Sequence, residues 1–371
     1  MSINSEPLLK VGWVPDTRIF THVQKKPSIC AQAARSDDLS AEVGHHVIFS
    51  YPGLNPPTHL FDLIKQGKVG GIILFGENVA DNLSKIITDF QDAYKQSSTY
   101  VGSPLLIMTD QEGGVVRRLP GGPVQSAKQV GQSSNPRETA TQSGKDAASA
   151  LRNYQVNTNL APVLGVYREA GDFLDNYGRS YGNTSALVAK CGPAFISAQQ
   201  AAGVIATAKH FPGLGAAGKT ENTDEEPVTI NLTLDEIRAV DEIPYTKAIP
   251  AGVDMVMNSW ALYPALDAKY PSGLSKAWIQ DELRGRLGFQ GVTITDAIEA
   301  GALQAFGNDA ARGVLASQAG MDIILASARN VTQGEAVFDA LVSALQNGLL
   351  SQEFFSEATD RILALRQKIT M

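Results

Sequence analysis

Three short apolar runs in this chain each end on side chains that can do acid–base, nucleophilic or hydrogen-bonding chemistry. Leu105–Thr109 runs into Asp110, Val204–Ala208 into Lys209-His210-Phe211-Pro212-Gly213, and Val292–Thr295 into Asp296. A carboxylate accepts hydrogen bonds while an ammonium and an imidazole donate. A carboxylate can also attack carbon or move a proton. Each residue has a quieter role as well. Asp110 could be a turn residue before Gly113-Gly114, and Asp296 with Glu299 fits a helix capping box. Lys209 could be a structural ion-pair partner, and His210 a core histidine with both nitrogens satisfied. Four such coincidences at three strand ends are harder to accept than one shared enzyme site.

Something must bring those ends to one rim. Eight apolar runs recur, near His46–Tyr51, Gly71–Phe75, Leu105–Thr109, Thr158–Ala161, Val204–Ala208, Asp254–Asn258, Val292–Thr295 and Asp322–Leu325. They are aliphatic and β-branched without strict alternation, as parallel strands covered on both faces are. Helical periodicity lies between and after them. Leu83, Ile86, Ile87, Phe90 and Tyr94 form one face. Ile237, Val240, Ile243 and Tyr245 form another, ended by Pro250. Val337, Leu341 and Leu345, then Phe355, Ala358, Ile362, Leu365 and Ile369, predict two final helices. Eight strand–helix repeats predict an α/β fold, a single closed (β/α)8 TIM-type barrel, whose catalytic groups sit at the carboxyl ends of the strands. The open doubly wound alternative needs a glycine-rich dinucleotide loop after an early strand, and none is found. Residues 1–40 read as an N-terminal arm and 41–371 as the barrel domain.

The bulk composition narrows the function. With 371 residues, 43% hydrophobic and 19% charged, a large core is available. A net charge of −7 argues against nucleic acid or an anionic membrane as partner. Cys30 and Cys191 match no metal or disulfide spacing and read as two idle thiols. No metal-ligand spacing of His, Cys and Glu is present, so no metal and no cofactor is expected. The first thirty residues hold neither a signal-length apolar segment nor a spanning helix. The chain as given reads as cytoplasmic, and as secreted if a leader has been removed.

One motif is rejected. Gly213–Thr220 fits the phosphate-loop pattern G-x-x-x-x-G-K-[ST]. The stretch that follows, Glu221–Pro227, is acidic and ends in proline, so it supplies neither a helix amino terminus nor a welcome for phosphate. Residues 212–227 read instead as a long loop of the kind that covers a site.

Taken as a set, several pieces resemble glycoside hydrolase family 3, in its single-domain β-N-acetylglucosaminidase (β-hexosaminidase) branch. They are GGIILFGENV at Gly70–Val79, TDQEGGVVRRL at Thr109–Leu119, NLAPVLGV at Asn159–Val166, YGRSYG at Tyr177–Gly182, KHFPGLG at Lys209–Gly215 and GVTITDAIEAGAL at Gly291–Leu303. The resemblance implies roles. Asp296 matches the catalytic nucleophile. Asp110 and Arg118 match sugar contacts from one loop, Arg179 lines the same subsite, and Lys209 and His210 match paired donors to sugar hydroxyls.

Two departures stand out. The branch carries an Asp-Ser-His triplet on the loop after KHFPG, its histidine being the general acid/base. Here that loop has no histidine, and the triplet aligns with Asn222-Thr223-Asp224. Asp224 is expected to take the role, with Glu221 or Glu225 as substitutes, since crowded carboxylates hold their protons to higher pH. At Gly165 the family commonly has an acid. The implied activity is a retaining exo-β-glycosidase acting on an oligosaccharide that ends in β-linked N-acetylglucosamine. β-Glucosidase or β-xylosidase activity, a catalytically silent sugar-binding barrel, and a Schiff-base aldolase using Lys209 are the rivals.

Overall fold

The computed structural model describes residues 39–370, so the expected N-terminal arm and Cys30 lie almost wholly outside the described residues. Eight strands form one closed parallel barrel: β1 (Val47–Phe49), β2 (Gly71–Ile73), β3 (Leu106–Thr109), β4 (Thr158–Asn159), β5 (Ile205–Phe211), β6 (Met255–Asn258), β7 (Val292–Ala297) and β8 (Ile323–Leu325). Each pairs with its sequence neighbours, and β1 closes on β8 through Val47 opposite Ile324. All eight coincide with the expected apolar runs. Their side chains are buried on both faces, inward against one another and outward against helices, which is why the runs lack alternation.

Two strands reach further than the apolar runs. β5 carries Lys209, His210 and Phe211 inside the sheet, with Lys209 opposite Met257, Phe211 opposite Asn258, and a bulge between. β7 extends through Asp296 and Ala297, the latter opposite Leu325. Sheet pairing therefore fixes both catalytic-looking segments.

Outside the barrel run α1 (Thr58–Lys65), α2 (Leu83–Tyr94), α3 (Pro136–Asn153), α4 (Ser185–Ala201), α5 (Ile243–Ala248), α6 (Asp309–Ala319), α7 (Val331–Gln346) and α8 (Gln352–Arg366). The face Leu83, Ile86, Ile87, Phe90 and Tyr94 is buried as its period predicts. The expected helix over Ile237–Tyr245 is instead broken: a wide turn spans Ile237–Asp241 and α5 begins at Ile243. Pro244 has no N–H to continue the first segment and is accommodated in the first turn of a new helix.

Inside the barrel, Ile48, Ile73, Leu106, Met257, Ile294 and Leu325 belong to one cluster with Ile362, Leu365 and Ile369 from the C-terminal segment. Helix α8 thus lies across the amino-terminal mouth. Arg366 is fully buried there and donates to the Tyr94 hydroxyl (2.8 Å) and to the Gly70 carbonyl just before β2. Asp322, just before β8, accepts from Arg284 (2.7 Å), Arg361 (2.8 Å) and the Thr293 N–H (2.8 Å). With this end stoppered, ligands reach the barrel from the carboxyl end.

Candidate active site

A cavity of about 380 Å³ opens at that carboxyl end. Its lining includes apolar Ile73, Leu160, Met257 and Leu325 together with polar residues from the strand ends and following loops. Asp110 follows β3, and the chain then makes a hairpin in which Gln111–Gly113 pairs with Val116–Arg117. Gly113 and Gly114 turn it at φ 114° and 57°, a region where a side chain is strained. The fully buried Gln111 braces the loop: its amide donates to the Leu119 and Gly122 carbonyls and its oxygen accepts the Arg118 and Leu119 N–H groups. That brings Arg118 to the cavity, where its buried Nε has no hydrogen-bond partner.

A chain of alternating charges crosses one wall. Arg179 grips Glu112 with two bonds (Nε–Oε2 2.9 Å, Nη2–Oε1 2.8 Å). Lys209 Nζ lies 2.8 Å from Glu112 Oε1 and 2.7 Å from Asp110 Oδ1. Burial opposes ionisation of Glu112, but Arg179 and Lys209 outweigh it and hold the carboxyl far below the usual range. Burial likewise opposes charge on Lys209, and Asp110 and Glu112 outweigh that, so the ammonium is retained to higher pH than usual.

Across from this wall, Asp296 Oδ1 accepts the Ala297 N–H at 2.8 Å, and Oδ2 lies 3.8 Å from His210 Nε2. Its side chain is 19% exposed, all the more relevant because it lines the cavity rather than the core. Burial and then the Asp224 carboxylate push the Asp296 pKa up to about 7. His210 is kept neutral, by burial first and then by Arg179 and Lys209, so its approach to Asp296 is not an ion pair. Its buried Nδ1 has no partner. Asp224 comes from the loop after β5. The residue is solvent-exposed, yet it lines the cavity, and burial together with Asp110 and Glu225 raises its pKa against the pull of Arg179 and Lys209.

Residues 42–365 match the Glycosyl hydrolase family 3 N terminal domain. The chain belongs to glycosyl hydrolase family 3. It is 57% identical over 340 residues to a secreted glycosyl hydrolase of Arthroderma benhamiae, covering 92% of this chain and 96% of that one. It is 32% identical to the beta-hexosaminidase of Tolumonas auensis, covering 76% and 81%. Among solved structures, the family 3 beta-N-acetylglucosaminidase of a Paenibacillus species superposes with a TM-score of 0.82 at 35% identity, covering 89% of this chain; this chain spans 62% of that one. The beta-N-acetylhexosaminidase of Beutenbergia cavernae gives 0.80 at 30% identity, covering 89% and 98%. This family 3 chain is a glycoside hydrolase on a TIM-type barrel.

The family 3 domain brings Asp110, Arg118, Arg179, Lys209, His210, Asp224 and Asp296 together around one cavity. Glu221 and Glu225 are not among its lining residues. Glu221 accepts the Gly218 N–H (2.6 Å), and Glu225 accepts from the Asn222 side-chain amide (3.0 Å). The quieter roles divide. Asp296 caps no helix, since β7 runs through it, and Glu299 turns instead to Ser327 and Gln333. His210 is not a satisfied core histidine. Lys209 is indeed an ion-pair partner, but one of its two partners, Asp110, lines the cavity, as Lys209 itself does. The rejected phosphate loop has no helix behind it until Leu234, and its Gly218 amide is occupied by a carboxylate.

Sequence reasoning missed Glu112 as a site residue. Its signal was available: in extended chain it lies two residues from Asp110, hence on the same side. Arg329 was missed with no comparable cue; it lines the cavity, with its guanidinium 4.2 Å from the Phe75 ring centroid. Gly165 lies where the family commonly has an acid. A Cβ there would come 2.3 Å from Leu174 Cδ1, the tip of a side chain, so Leu174 would have to turn aside to admit one.

Proposed function

We propose that the protein is a retaining exo-β-glycosidase that releases terminal β-linked N-acetylglucosamine from cell-wall or chitin-type oligosaccharides. One observation carries the mechanism. Among the described residues, three carboxylates line the cavity with no Lys or Arg nitrogen within 4.0 Å, Asp224, Asp296 and Glu299, and of these Glu299 is held by the Ser327 hydroxyl and the Gln333 amide. Asp110 and Glu112 are both tied to Lys209. Asp224 and Asp296 are thus left for chemistry, Asp110 for holding the sugar, and Glu112, which does not line the cavity, for bracing Lys209 and Arg179.

Asp224 gives its proton to the glycosidic oxygen as Asp296 attacks C1. The C1–O bond breaks, the aglycone departs as an alcohol, and a glycosyl ester forms on Asp296. Asp224, now a carboxylate, takes a proton from water. The water oxygen bonds to C1 and Asp296 leaves as a carboxylate. Asp110 accepts from sugar hydroxyls, while Lys209, Arg179, Arg118 and neutral His210 donate to them. A cavity of about 380 Å³ with a stoppered floor favours a chain end over an internal segment. The names of the Tolumonas, Paenibacillus and Beutenbergia relatives favour the N-acetyl sugar. The secreted Arthroderma relative favours export over a cytoplasmic home, which assay of culture fluid against cell extract tests. Lys209 speaks against the aldolase, because an amine pinned as ammonium by two carboxylates is a poor Schiff-base nucleophile.

The test is a panel of aryl β-glycosides (N-acetylglucosaminide, glucoside, xyloside) against wild type, Asp296→Asn and Asp224→Asn. Asp296→Asn should abolish cleavage of every substrate. Asp224→Asn should spare activated leaving groups, lose about 100-fold or more on poor ones, and regain rate with azide. Binding without cleavage by the wild type would instead favour the silent sugar-binding barrel.

A further inference from the structure

The two carboxylates of the proposed mechanism come from different elements, and one small contact joins those elements. Beyond Asp296 the chain is firmly held: the Ala297 carbonyl accepts from Trp260 Nε1 (2.9 Å), the Ile298 N–H donates to Leu325 (3.0 Å), and Ile298 and Ala300 are buried. The next two amides then reach out to the loop after β5. Gly301 N–H donates to the Asp224 carbonyl (2.8 Å) and Ala302 N–H to the Thr223 carbonyl (3.1 Å). The loop backbone lies so close that a Cβ on Gly301 would fall 2.0 Å from the Glu225 carbonyl oxygen and 2.3 Å from its carbon.

The geometry points to Gly301 as a positioning residue that sets where the Asp224 carboxylate stands relative to Asp296. This rests on the reading of Asp224 as acid/base. The requirement is for the missing side chain, because the neighbour is backbone and cannot rotate aside. Which partner yields is decided by packing. The Gly301 side is anchored in β7, β8 and buried residues, whereas Asp224, Glu225 and Glu226 are exposed and rest on a turn around Asn222. A methyl group at residue 301 therefore moves the loop, and Asp224 with it, while Asp296 stays in place.

The experiment compares kcat/KM for wild type, Gly301→Ala, Asp224→Asn and the double variant over aryl glycosides graded by leaving-group pKa. Gly301→Ala should lose about 10- to 100-fold on poor leaving groups, within the worth of a general acid, and under about 3-fold on activated ones. The double variant should match Asp224→Asn within about 2-fold, since a displaced acid and an absent one are equivalent. Trypsin cleavage at the exposed Lys219 should quicken in Gly301→Ala at an unchanged melting temperature. If Asp224→Asn shows the leaving-group effect and Gly301→Ala does not, or if the two losses multiply, the clasp is refuted while the acid assignment stands. If Asp224→Asn shows no such effect, the acid assignment fails and the clasp with it. Should Gly301→Ala not fold, hydrogen exchange of the wild type decides: slow exchange of the Gly301 and Ala302 amides supports the clasp, and exchange at the rate of open amides overturns it.

Discussion

Glu112 Oε1 lies 2.8 Å from Lys209 Nζ, joining the loop after β3 to the end of β5. Both side chains are buried, and the second Glu112 oxygen is taken by Arg179. One carboxylate therefore orients two cations that are proposed to hold hydroxyls.

Glu112→Gln keeps the shape and removes the charge. Lys209 and Arg179 are left buried with one counter-charge fewer, a defect worth roughly 3 kcal/mol. Denaturant unfolding should show that loss at neutral pH. The Glu112 pKa is depressed in the fold, so its contribution is present above the ordinary glutamate range and fades as pH falls. The gap between wild type and variant should narrow on acidification. A gap independent of pH would contradict this.

The pH profile of kcat/KM should follow the Asp224–Asp296 pair. Both pKa values are raised, that of Asp296 to about 7. In the proposed mechanism the singly protonated pair, with the proton on Asp224 and Asp296 ionised, is the active form. Activity on poor leaving groups should fall above about pH 7 as the last proton leaves, and fall again at acid pH as a second proton binds. Asp224→Asn removes the neighbouring charge that raises Asp296, so its acid limb, read with an activated substrate, should move to lower pH.

Proton NMR of the first-formed sugar gives the stereochemistry. A nucleophilic Asp296 requires β-product first, with the α-anomer appearing only by mutarotation. Direct formation of the α-anomer would assign Asp296 as a base and end the covalent scheme.

Ile362→Ala cuts a fully buried side chain from the stopper under the barrel. It should cost about 2–5 kcal/mol of stability and leave kcat/KM unchanged well below the melting temperature. A selective loss of activity in a stable variant would show that floor and site are coupled.

Much of this was legible in the chain because barrel strands are buried on both faces. The eight runs from Val47 to Leu325 announced themselves by apolar content alone, and Asp110, Lys209 and Asp296 by ending them. Arg118 and Arg179 were not readable that way; they lie on loops, the first braced by Gln111 bonding the backbone at Arg118, Leu119 and Gly122 and the second by Ser180 bonding the Gly165 carbonyl, and only the family resemblance pointed to them. Alignment alone favours Asp224 over Glu221 and Glu225, and that it is the one of the three lining the cavity depends on the course of the loop. Arg329 reaches the cavity through a fold-level approach of the β8 loop to Phe75, which no local pattern encodes. The break near Pro244 was written in the sequence, but the apolar period across it outweighed the proline in the reading.

The wall formed by Arg179, Glu112, Lys209 and Asp110 alternates two positive with two negative groups, so its charges cancel at short range. Within that wall little field is left for dissolved ions to screen. Capture of an uncharged sugar should then be indifferent to ionic strength, and the enzyme should turn over as readily in brine as in fresh water.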